Sequence, residues 1–401
     1  MAVLDFKQFG GKYNESASVQ KVLEYLGVIA PHTGKPFSEE MLLGIGGGMG
    51  ITYFAFEYSD TASCYISTEY HTYSEETLFI PKICQRLSLK ETIRETAGSR
   101  SAENNLKNAL EAGHPVIAWL DLASLPYYAL PPAMIKYCYH RVVVYGFDEA
   151  ENKVYISDNA AVPFTVTPEE LAASRMAITA QKNRMMTIEA SASVGDLKAA
   201  VLAGINDFCR GMLEPQLNNF GLPALLKWAE LITNPRDKKG WPKLFPPGEK
   251  LYEALRGVFF WLEIYNTPGG GIRDMYAGFL EEAGEVLSQP ALREVAQQYR
   301  KCARQWTALA NGALPDSEAP FKEVKELLRR KKALRETQGE MALSKMRQIE
   351  NQLKTIGLGM REAFPLNAVQ SQELLAALRA QILTLHEAEE KAVAPLRSLT
   401  S

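Results

Sequence analysis

The chain is poor in the residues that build disulfides and metal centres. Its 401 residues include five cysteines (Cys64, Cys84, Cys138, Cys209 and Cys302), dispersed and without CxxC spacing. An odd, scattered set excludes a disulfide framework and fits reduced thiols in a cytoplasm. The five histidines form no HxxxH or HExxH pair, so neither a metal site nor a cofactor is expected. No apolar run reaches membrane-spanning length. The opening "MAVLDFKQFGGKY" lacks the basic and apolar stretches of a signal peptide. A net charge of −3 supplies no field that would gather nucleic acid or an anionic membrane, and neither is an expected partner.

What is present is an ordinary globular composition. Hydrophobic residues make up 46% and charged residues 23%, in a chain long enough for two cores. The most unusual stretch is "MLLGIGGGMG" at 41–50. A dinucleotide loop needs G-x-G-x-x-G, but the sixth position is Met49 counted from Gly44 and Ile51 counted from Gly46. A phosphate loop needs a closing Gly-Lys, and no lysine follows. The next residues, "ITYFAFEY", read as a strand rather than the helix that a pyrophosphate would require. The glycines are therefore expected to serve positive φ or close backbone approach.

The element pattern changes along the chain. A helix is expected from about Asn14, with Val19, Val22, Leu23 and Leu26 at helical spacing and Gly27 as its stop. "AENNLKNALEAGHP" reads as a helix, "VIAWLDL" as a buried strand, and "HRVVVYGFDEAENKVYISDN" as two strands around a turn. "TPEEL" at 167–171 is a capping box, and "RMMTIEA" is a further strand. From about residue 193 strands vanish and alanine, leucine and charged residues dominate. The basic run "KEVKELLRRKKALRET" interleaves glutamates and has a leucine face, so it reads as a solvated helix and not a nucleic-acid patch. The expectation is an α+β domain over 1–192 and an all-helical domain over 193–401.

Within the first half, His140 opens one strand and Asp158 closes the next. Neighbouring antiparallel strands can bring such a pair into hydrogen-bond reach. The carboxylate then fixes the tautomer and leaves the other ring nitrogen as a base. A core histidine satisfied by a strand-end aspartate is the plainer alternative. The order of a helix start, a histidine and an aspartate is that of papain-like acyl- and amide-transfer enzymes. These set a nucleophile at the first helix N-terminus and a glutamine oxyanion donor six residues upstream. Gln8 stands six residues before Asn14, but Asn14 has no ionisable group.

"YNESASVQKVLEYLGV", "FSEEMLLGIGGGMGITYF", "AGHPVIAWLDLASLPYY" and "HRVVVYGFD…VYISDN" resemble the N-terminal domain of the butirosin biosynthesis protein H family. "YNTPGGGIRDMYAGFLEEAG" at 265–284 resembles the helical domain of unknown function that commonly follows it. The resemblance implies a papain-like fold and an acyltransferase of specialised metabolism, moving an acyl group from a carrier-protein thioester to an amine. It implies a small-molecule substrate and an acyl carrier protein as partners, and a homo-oligomer is left open.

The family's His-Cys pair falls on Tyr13 and Asn14, while His140 and Asp158 take the places of base and orienter. Three substitutes for the missing thiol stand open: Ser16 inside the helix, Cys138 near His140, or a site without a covalent intermediate in which Asn14 donates beside Gln8. The last includes a site that has become a binding pocket. Gly46, Gly47 and Gly48 are expected to turn free amides toward the cleft beside Tyr13 and Tyr53. Arg273, after the glycines of "TPGGGIRD", is expected to hold an anionic substrate group or to pair with Asp274 or Glu281.

Overall fold

The structure, a computed structural model of the chain, describes residues 2–58, 61–69, 79–191 and 193–399. In chain order the elements begin with β1 (Ala2–Val3), α1 (Asn14–Tyr25), β2 (Ile29–Ala30), β3 (Lys35–Pro36) and α2 (Glu39–Gly46). Next come β4 (Thr52–Tyr58), β5 (Thr61–Ser67), α3 (Phe79–Arg86), β6 (Lys90–Arg94), α4 (Ser99–Glu111) and β7 (Val116–Asp121). Short 3-10 turns lead to β8 (Tyr139–Asp148), β9 (Lys153–Ser157), β10 (Phe164–Val166), α5 (Pro168–Ala177) and β11 (Met185–Glu189). The remainder is helical. Its helices are α6 (Leu197–Leu213), α7 (Gly221–Leu231), α8 (Trp241–Leu244), α9 (Glu249–Phe259) and α10 (Arg273–Val286). They continue with α11 (Leu292–Ala313), α12 (Ala319–Gln338), α13 (Leu343–Gly359) and α14 (Ala368–Arg397). The fold is thus α+β, with an N-terminal sheet domain and an all-helical C-terminal region. Among the described residues no helix is long and apolar enough to cross a membrane.

The chain forms two compact units that interleave. Met1–Leu42, Ile80–Leu197 and Arg330–Asn351 make the first; Leu43–Phe79, Lys198–Arg329 and Gln352–Ser401 make the second. The composition change at 192/193 falls near the crossing after Leu197, although residue 192 itself lies outside the described residues. Composition gave no sign of two exchanges: 43–79 joins the helical residues, and 330–351 joins the sheet.

The first unit is built on a mixed-length antiparallel sheet in the order β10-β9-β8-β7-β11-β6, with β1 paired to the far end of β8. β8 is the central strand and is buried at nine of its ten positions, which explains its near-continuous apolar run. Its register with β9 pairs Val143 with Ser157. One further step sets Asp158 opposite Val142, with His140 two residues along on the same face. Helix α1 packs on β8 and is buried from Asn14 to Val19. The chain enters it through Gly11, where an added Cβ would meet the Ala17 methyl at 2.4 Å. The expected capping box closes the start of α5, with Thr167 Oγ1 accepting from Glu170 N at 3.1 Å.

In the second unit both glycine clusters serve close packing. A Cβ on Gly204 of α6 would lie 2.1 Å from the Gly44 carbonyl oxygen, so these backbones touch. Gly48, at φ +77°, leaves room for Tyr276, and Gly271, at φ +60°, for Trp306. A residue with a side chain at either position would be strained as well as crowded. Gly204→Ala is expected to destabilise the chain by about 3 kcal/mol, because backbone cannot yield as a rotamer can. Gly211→Ala in the same helix meets nothing within 4 Å. It is expected to stabilise by about 0.5–1 kcal/mol through helix propensity. Urea denaturation of the two variants checks the opposite signs.

Candidate active site

Asn14, His140 and Asp158 converge in the first unit. Asn14 Nδ2 lies 2.9 Å from His140 Nδ1, and His140 Nε2 lies 2.8 Å from Asp158 Oδ1. An ionised carboxylate only accepts, so Nε2 carries the ring proton and Nδ1 accepts from the Asn14 amide. All three side chains are buried. Asn14, the first residue of α1, is thus the group that faces the ring nitrogen left without a proton.

The orienting carboxylate is held by an unusually full set of donors. Asp158 Oδ1 also accepts from Asn159 N at 2.6 Å. Oδ2 accepts from the hydroxyls of Tyr127 at 3.2 Å and Tyr128 at 3.0 Å. Burial pushes both phenols well above their usual range, so they remain protonated donors. Burial alone would raise the Asp158 carboxyl. The attraction of His140 and Arg335, with the hydrogen bonds from His140 and Asn159, outweighs it and holds the group well below the usual carboxylate range. Arg335, in the part of α12 that belongs to this unit, donates from Nη1 to Tyr128 Oη at 2.6 Å.

The other expected participants are turned inward. Gln8 donates from Nε2 to Ala160 O at 2.6 Å and to Phe9 O at 3.1 Å, so its amide faces the 158–160 backbone. Tyr13 is buried and gives its hydroxyl to Glu15 Oε2 at 2.8 Å. Ser16 donates to Glu39 Oε1 at 3.1 Å and to Tyr13 O at 3.3 Å, and among the described residues it makes no hydrogen bond to His140. Cys138 is buried just before β8, where its amide donates to Asp121 Oδ1 at 3.2 Å.

Two buried charges near α1 escaped the sequence reading. Glu39 accepts from the amides of Tyr13 at 2.7 Å and Lys12 at 3.0 Å, placing a carboxylate at the start of α1, where the helix dipole favours one. Burial nevertheless raises its pKa, against those hydrogen bonds. Lys21 donates to the Asp158 carbonyl, and burial pulls its amine down to about 8, against the opposing pull of Asp158 and Glu39. Only "SEE" and a lysine on an apolar helix announced them, and surface residues look the same.

Gly46, Gly47, Gly48, Tyr53 and Arg273 fall in the second unit, whereas His140 is in the first. The amides of Gly47, Gly48 and Gly50 donate to Gly44 O, Leu43 O and Thr68 O, so the expectation of free amides is corrected at Gly47 and Gly48. The Tyr53 hydroxyl accepts from Trp241 Nε1 at 2.9 Å. Arg273 is wholly buried and pairs with Glu389 at 2.6 Å instead of Asp274 or Glu281, both of which face Arg300. Its Nη1 donates to Gly50 O and Gly271 O, joining the two glycine clusters. Its Nη2 is buried and makes no hydrogen bond among the described residues.

Comparison with known families adds two matches. Residues 14–159 match the family described as butirosin biosynthesis protein H, N-terminal, and residues 169–343 match a domain of unknown function, DUF4872. No curated protein matches the chain.

Lys21 gives a pH test of the buried charge. Its amine goes from 10.5 in the ordinary state to about 8 when folded. Between these values the unfolded chain binds the additional proton, so the contribution to stability rises with pH. Burying the charged amine is a destabilising term below pH 8 that disappears as pH approaches 10.5. The difference in unfolding free energy between the native chain and Lys21→Met is expected to shift by about 3 kcal/mol in favour of the native chain over that interval. Denaturant titrations at its two ends measure it.

Proposed function

The chain belongs to the butirosin biosynthesis protein H family, and from that premise we propose that it is an acyltransferase-like protein of specialised metabolism that works without an acyl-enzyme. Its substrates would be a small amine and a carrier-bound acyl thioester. One observation supports this reading: Asp158 bonds His140 Nε2, which leaves Nδ1 as the candidate base, and the residue at Nδ1 is Asn14. A carboxamide does not attack a thioester carbonyl.

The chemistry then runs in a single displacement. The substrate amine attacks the thioester carbonyl carbon directly, and His140 Nδ1 takes the proton released from nitrogen. The Asn14 amide leaves Nδ1 for the carbonyl oxygen, where its N–H stabilises the developing negative charge. The C–S bond breaks, the amide forms, and the imidazolium returns its proton to the departing thiolate. Asp158 keeps the ring oriented and stabilises its charged form throughout.

A second reading is favoured by the internal partners of the same groups. Nδ1 is engaged by Asn14, the α1 start by Glu39, and the Gln8 donors by the 158–160 backbone. These engagements support a binding protein on an inherited enzyme scaffold.

The site assignment can be tested without knowing the substrate. Asn14→Cys would put a thiol at a helix start beside His140, and both features favour the thiolate. Its alkylation by iodoacetamide at about pH 6 is expected to exceed that of the five native cysteines at least about tenfold. Adding His140→Ala should remove the advantage. The native chain, mixed with acyl thioesters and amines, should show no acyl adduct by intact mass. An ordinary labelling rate, indifferent to His140→Ala, would sink the papain-like reading; an adduct on Ser16 or Cys138 would sink the single displacement.

A further inference from the structure

Helix α12 reaches the dyad through one face. Lys331 and Arg335 are four residues apart and so project on the same side of the helix. Lys331 Nζ donates to Ala129 O at 2.6 Å, holding a residue at φ +48° immediately after Tyr128. Arg335 Nη1 donates to Tyr128 Oη at 2.6 Å, and its guanidinium carbon lies 4.4 Å from the Tyr128 ring centre. One residue on, the Glu336 carbonyl accepts from Ala161 N at 2.9 Å, gripping the loop that follows Asp158. Gly339 closes on the same loop, where an added Cβ would meet Val162 at 2.7 Å. Residues 331–339 therefore hold the Tyr128–Ala129 turn and the loop that follows Asp158.

Tyr128 is the junction of this assembly. Its oxygen lies 3.0 Å from Asp158 Oδ2 and 3.2 Å from His140 Nε2. With Nε2 protonated and the carboxylate accepting, the tyrosine proton has one acceptor, Asp158. The oxygen lone pairs are then directed to Arg335. Loss of the guanidinium would free the hydroxyl to rotate and donate elsewhere, including to a ring nitrogen.

We propose that Arg335 is a positioning residue of the dyad: through Tyr128 it fixes the Asp158 carboxylate and the His140 tautomer that leaves Nδ1 as the base. The proposal deepens the function proposed above and rests on it. It makes the competence of a site formed by α1, β8 and the end of β9 depend on a residue far along the chain in α12. Neither family description assigns such a role to that segment.

The charged and titratable groups around Asp158 set the expected pH behaviour. They are His140 from β8, Tyr127 and Tyr128 from the turns after β7, Lys21 from α1 with Glu39 behind it, and Arg335 with Glu336 from α12. Arg335 is the cation from α12 that favours the carboxylate. Its removal raises the pH at which Asp158 is protonated, and with it the pH at which the imidazolium loses its partner.

The test uses the full chain carrying Asn14→Cys and follows the alkylation rate against pH. With Arg335 present, alkylation should remain fast well into the acid range. Arg335→Met is expected to move the acid limb upward by roughly one pH unit. Tyr128→Phe, which keeps the ring and loses the relay, should move it in the same direction, and Arg335→Lys, which keeps the charge, should move it less. Acid limbs of Arg335→Met and Tyr128→Phe that both coincide with the limb of a fast-alkylating parent would overturn the proposal while leaving the site assignment intact. A slow parent would overturn both. Should Arg335→Met fail to fold, Tyr128→Phe decides alone, and an unmoved limb overturns the role.

Discussion

A carboxylate kept ionised where water does not reach it is the constraint on which the first unit depends. Asp158 is buried, and desolvation by itself would neutralise it. What prevents this is a shell drawn from four places in the chain: His140 on β8, two tyrosines in the turns after β7, the amide of Asn159, and Arg335 on α12. The same shell determines what His140 can do. Because Nε2 is committed to the carboxylate, Nδ1 is left facing the start of α1, and the residue that begins that helix is the one it meets. The central position of β8, the depth of α1 and the tight passage at Gly11 all serve that single alignment.

Much of the scaffold was legible because it is written locally. The start of α1, the β8–β9 pair, the capping box of α5 and the loss of strands after β11 all follow from spacing within short windows. Register alone then carried His140 and Asp158 to the same face, and the helix start carried Asn14 to them. The supporting groups were not legible for the converse reason. Tyr127 and Tyr128 lie in 3-10 turns without periodicity, and Arg335 sits in a helix whose charge pattern resembles any solvated face. Lys21 and Glu39 are charged residues buried only by tertiary packing. The glycine loop was legible as backbone geometry and misleading as chemistry. Its amides bond within the loop and to Thr68, and its missing side chains make room for helices and aromatic rings.

The groups that a covalent transferase would hold ready are each engaged internally. The helix start is met by Glu39, the amide donors of Gln8 by backbone carbonyls, and the hydroxyl of Ser16 by Glu39 as well. Among the described residues the Ser16 hydroxyl, near the start of α1, makes no hydrogen bond to His140. These internal partners hold the start of α1 and the 158–160 backbone in one fixed arrangement around His140.

The interleaving of the two units bears on how such proteins can diversify. The family matches cover successive stretches, 14–159 and then 169–343, as if two modules were strung in series. Yet 330–351 belongs physically with the sheet, and 43–79 with the helices. A recombination event that exchanged the C-terminal half between relatives would import a foreign α12 against a resident Tyr128 and Ala129. It would also import a foreign partner for the resident glycine hairpin. Such crossovers would be disfavoured even where the sequence boundary looks clean, so the two halves are expected to drift together and to be inherited as a matched pair.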